Sequence, residues 1–166
     1  TTADNNTAVG HTSLSENTTG TQNVSLGAFA LDANTTANLN TGIGYNTLGG
    51  NTTGSANTAV GGLALDANTT AANNTAVGYA SLTTNTTGSE NTGVGVNALG
   101  ANTTASYITG IGFQALKANT TGTANCAVAA DALAANTTGA SNTAVGNNAL
   151  AANTTASNNT AVGKNS

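Results

Sequence analysis

The stretch Asn74-Thr75-Ala76-Val77-Gly78-Tyr79-Ala80-Ser81-Leu82, followed two residues on by Asn85-Thr86-Thr87-Gly88, decides the fold because it recurs every 17 residues. Stepping by 17 from Gly10 reaches Gly27, Gly44, Gly61, Gly78, Gly95, Gly112, Ala129, Gly146 and Gly163 with no insertion. The residue before each is branched and apolar, from Val9 through Ile43 and Val77 to Val162. A second phase is Leu throughout, from Leu14 to Leu150. A third is the triplet Asn-Thr-Thr, which begins at Asn17, Asn34, Asn51, Asn68, Asn85, Asn102, Asn119, Asn136 and Asn153. Seventeen residues are too few for a helix pair or a propeller blade, and they suit one coil of a β-solenoid. Residues 74–78 read as a short strand, and Asn, Gly and Ala supply the corners. A helix would be weakened by Gly, Asn and β-branched residues at every turn or two. The expectation is an all-β parallel β-solenoid, or β-roll, of about ten coils. It forms a single domain over 1–166 with uncapped ends. At about 4.8 Å per coil the rod is about 45 Å long.

Composition narrows the function. Thr, Ala, Asn and Gly provide 115 of the 166 residues, and charged residues are only 5%. Lys117 and Lys164 are the only basic side chains, which argues against nucleic-acid binding. No apolar run approaches the roughly 20 residues of a membrane span, so no membrane insertion is expected. His11 and Cys126 are single, so neither a disulfide framework nor a His/Cys ligand set can form within one chain. The acids are scattered. No catalytic, cofactor or metal site is expected, and the chain does not read as an enzyme.

Alternation along a strand assigns faces. With Val77 inward, Thr75 is inward, and Cys126, which takes the Thr75 phase, is a small buried side chain. Ala76 and Gly78 then face out. The small phase shared by Ala8, Gly10, Ala59, Gly61, Ala76, Gly78, Ala144 and Gly146 is a candidate chain–chain interface. The Asn-Thr-Thr triplet admits three explanations. It is an N-linked glycosylation sequon, with further sequons at Asn5, Asn23, Asn73 and Asn158. It also suits an internal ladder of stacked Asn amides. Recent duplication of the repeat would preserve it as well. A weaker 34-residue period places His11, Tyr45, Tyr79 and Phe113 on alternate coils, as a shielding row or a contact stripe for a partner or sugar.

The unit Asn74–Leu82 with Asn85–Gly88 resembles repeats of phage and bacterial tail-fibre and surface proteins. More distantly it resembles the head repeats of trimeric autotransporter adhesins. The adhesin resemblance implies a left-handed β-roll, three chains about an axis, and an adhesive role outside the cell. Open ladder ends expose unpaired backbone, which favours stacking. The expected function is therefore an extracellular structural protein at a cell or virion surface, the subunit of a fibre or filament. Its partners are other copies of itself, as a head-to-tail polymer or homotrimer, with glycans as further partners. The alternative is an ice-binding protein with a flat Thr/Asn face.

Overall fold

The computed structural model describes residues 3–166. Ten three-residue strands form one parallel sheet in sequence order. They are β1 (Thr7–Val9), β2 (Val24–Leu26), β3 (Thr41–Ile43), β4 (Thr58–Val60), β5 (Thr75–Val77), β6 (Thr92–Val94), β7 (Thr109–Ile111), β8 (Cys126–Val128), β9 (Thr143–Val145) and β10 (Thr160–Val162). Each residue pairs with the one 17 positions on, as in Thr75↔Thr92, Ala76↔Gly93 and Val77↔Val94. The chain is thus a β-solenoid, with bends and turns completing each coil between strands.

The strands are turned over relative to the sequence expectation. Ala59, Ala76 and Ala144 point inward and are fully buried, whereas Val77 and its equivalents line the outside. Ala8 shares the inward phase, although it is exposed in the first described coil, and Gly61, Gly78 and Gly146 lie half-buried at the bend, with Gly10 exposed. The alanine half of that small row is therefore no outer surface. Cys126 is likewise only partly covered. The reason is the narrowness of the coil, whose interior Leu already fills. A Cβ on Gly93 would lie 3.3 Å from Cγ and Cδ1 of Leu82, and on Gly110 it would lie 3.1 Å from Cγ of Leu99. Only Gly, Ala or Ser fits opposite Leu, so the branched residue must face out. The hydrophobic core is a single Leu stack, Leu31 to Leu133, backed by two columns of small residues, one on the strand (Ala59, Ala76, Ala127, Ala144) and one just before the Leu (Ala64, Ala115, Ala132, Ala149).

The turn after each strand uses left-handed backbone repeatedly. In one coil Gly78, Ala80 and Leu82 have φ of 128°, 54° and 52°. Leu takes this conformation in every coil from Leu14 to Leu150, although it costs an L-residue about 1–2 kcal/mol. Its burial and its main-chain bond, such as Leu82 N–H to Ala98 O at 3.0 Å, offset that cost. At the glycine phase nine of ten residues are Gly, and a side chain is crowded there. A Cβ on Gly78 would meet the Gly95 carbonyl carbon at 2.7 Å. Ala129 occupies this phase with φ reduced to 108°. Ala129→Gly is therefore expected to stabilise the fold by about 1 kcal/mol. At this chain length that is a rise of about 2–4 °C in Tm by thermal melting, with Gly78→Ala moving the other way.

Candidate functional site: the amide ladders and the outer face

The Asn of the triplet faces inward. Asn34, Asn51, Asn68, Asn85, Asn102, Asn119 and Asn136 are fully buried. Asn17 and Asn153 are half-buried members of the same column. From Asn34 onwards each Nδ2 donates to the Oδ1 one coil back, as in Asn68 to Asn51 at 2.8 Å and Asn102 to Asn85 at 2.8 Å. The same Nδ2 donates to the carbonyl three residues on, as in Asn85 to Gly88 O at 2.8 Å. A fully buried amide with both hydrogens engaged has no access to glycosylation machinery in the folded chain. The first Thr turns sideways, and its hydroxyl donates to the next coil's equivalent carbonyl, as in Thr86 to Thr103 O at 3.1 Å. The second Thr, from Thr19 to Thr155, is exposed in every coil. One triplet thus supplies an inward, a sideways and an outward column.

A second Asn column runs beside the first, at the residue before each strand. The Asn74 Oδ1 accepts the Asn91 main-chain N–H at 2.9 Å, and its Nδ2 donates to Gly88 O at 3.0 Å. Gly88 O therefore receives both Asn74 and Asn85. The same convergence recurs at Ala71 O and Ala105 O. Among the described residues, every buried side-chain nitrogen and oxygen has a partner. The column is broken once, by Ile108, which is buried with the core. There Gly122 O keeps only Asn119, and Asn125 reaches Asn119 Oδ1 at a long 3.4 Å. Of the further sequons, Asn23 lies in this column and is buried, while Asn5, Asn73 and Asn158 are exposed at a corner with φ near 60°.

On the outside, the strand's Thr and branched residues form two parallel columns. Val77 is 37% exposed and Ile111 39%. Beyond the glycine bend, Tyr45, Tyr79 and Phe113 project as a separate row, and His11 is exposed at the same phase. His11, Phe29 and Tyr45 also form an edge-to-face cluster, with centroids 5.2 and 5.8 Å apart. Neither the sheet columns nor the ring row contains an acid. Lys117 pairs with Asp131 at 3.5 Å on another part of the coil. No group of three or more His, Cys, Asp or Glu among the described residues could hold a metal ion. No helix among them is long and apolar enough to cross a membrane. Comparison with protein-family models, curated proteins and solved structures found no match.

The outward Thr-x-Val pattern and the second Asn column both escaped the sequence reading. The consensus Asn before each strand was the available signal for the second column. Asn85→Ala strands Asn68 Oδ1 and one of the two Asn102 Nδ2 hydrogens in a buried setting, and leaves Gly88 O with Asn74 alone. It should cost about 3–5 kcal/mol in urea unfolding. Ile108→Asn, by contrast, should leave stability unchanged or raised. It restores an acceptor for the Asn125 N–H and a donor to Gly122 O, where Ile108→Ala loses at least about 2 kcal/mol.

Proposed function

We propose that the chain is a structural rod, the subunit of an extracellular fibre or filament whose copies associate with one another at a cell or virion surface. The observation that carries this reading is the uncharged outer face of the sheet. Its Thr and Val columns continue in register across all ten strands. At about 4.8 Å per strand and 3.3 Å per residue, this strip is on the order of 400 Å². That is the size of the largest patch on a typical monomer, which is often functional. A second copy offers the same spacing and the same lack of charge. The interface therefore lies on the Thr/Val columns rather than on the buried alanines. Glycan attachment, where the host supplies it, belongs at Asn5, Asn73 and Asn158. Sedimentation should give a mass that is a multiple of 15.8 kDa. The variant Val77→Lys/Ile111→Lys should sediment as a folded monomer. A monomeric parent chain at high concentration would overturn this reading.

The same face favours a second reading, ice binding. Two outward columns with one intervening inward residue form a flat lattice of methyls and hydroxyls, which adjacent Thr residues could not. Freezing-point depression without a matching change in melting point, lost in Thr75→Tyr/Thr92→Tyr, is the expected signature. An unmodified freezing point removes it.

A further inference from the structure

The ring row is distinct from the sheet face, since the glycine bend separates them. Tyr45, Tyr79 and Phe113 are 59%, 56% and 51% exposed; Tyr107, at another phase, is exposed too, so it is the regular spacing that sets these three apart. They stand two coils apart in one unbroken register, so their axial separation is about 9.6 Å. The coil between carries Gly62 or Val96 at the same phase. Tyr79 leans over the bare backbone of Gly62, with its Cδ2 and Cε2 3.7 and 4.0 Å from where a Cβ would be. The Tyr79 ring thus lies in van der Waals contact over the intervening coil.

We propose that this row is a binding track for a neutral β-1,4-linked polysaccharide chain. In such a polymer successive sugars are flipped, so the same apolar C–H face returns at every second sugar. That disaccharide repeat is close to the two-coil spacing of the rings, and both lattices are straight. Sugar C–H faces stack on aromatic rings, which combine apolar area with a negative π face. Between His11 and Lys164 the row carries no charged side chain, which matches a polymer without charge. Asn46 and Asn97 flank the row, partly exposed, and supply amides for sugar hydroxyls. The proposal does not depend on self-association, because it uses a different face of the rod.

The test is depletion of the full-length chain from solution by microcrystalline cellulose and by chitin, with starch as the coiled α-linked control. The parent should bind cellulose or chitin and not starch. The cellulose and chitin arms distinguish a glucan from its N-acetylated relative. Tyr45→Ala/Tyr79→Ala/Phe113→Ala should weaken binding at least tenfold with an unchanged circular dichroism spectrum. Tyr79→Ala/Val96→Tyr keeps three rings but spaces them three coils and one coil apart. Spacing recognition predicts a loss close to that of the triple variant, and parent-like binding by this shifted variant overturns the proposal. No binding to either β-linked polymer, equal binding by the triple variant, or a change in sedimenting mass without a change in binding would each overturn it too.

Discussion

In every coil except that of Gly122, one main-chain carbonyl, that of Gly88 and its equivalents, receives the side-chain amides of two different Asn columns. Each of these amides also contacts the neighbouring coil through its Oδ1. The bond is individually modest, about 1 kcal/mol net, but losing a partner inside the coil leaves a desolvated polar group. This constraint explains why Asn is retained where a hydrophobic residue would ordinarily sit. It also dictates the rest of the cross-section. With two Asn columns occupying the interior, Leu82 and small residues such as Ala76 and Ser81 are what remains to be packed there. The branched apolar residues of the strand therefore go outside, which is how a sparsely charged rod comes to display Val and aromatic columns.

The coil length, the parallel sheet and the number of strands were legible because an uninterrupted 17-residue period leaves no other topology for backbone pairing. The face of the strand was not. The usual inference that an unvarying branched residue is core and an unvarying small one is surface assumes a spacious interior. Here Leu82 reaches the strand backbone, so Ala76 is small by necessity and Val77 is expelled. Alternation held, but its phase was reversed. The triplet's Asn ladder was among the sequence alternatives, since its cause is local stereochemistry. The outward Thr/Val surface was missed for the same reason as the strand face.

The repeated left-handed Leu was illegible in the sequence, because isolated Leu avoids that region. Nothing in the local sequence favours φ of 52° at Leu82. The conformation follows from closing a short coil while keeping Leu inside and its N–H bonded to the next coil. Local preference and global packing disagree at this residue, and packing prevails because the arrangement is repeated and mutually supporting. Gly78 shows the opposite case, where the neighbour's backbone admits no side chain, so the sequence announces the bend directly.

Because every coil presents the same inward Leu and Asn to both of its neighbours, coils are interchangeable parts. Adding or removing residues in blocks of 17 changes the length of the rod in steps of about 4.8 Å while leaving its cross-section alone. The rings do not share that freedom. They alternate with Gly62 and Val96, which carry no ring, so excision of a single coil would bring two ring or two ringless positions together and put the upper half of the row out of step with the lower. The backbone counts in units of one, and the decorated surface counts in units of two. Length can therefore drift freely in this architecture only by even numbers of coils if its aromatic pattern is to survive.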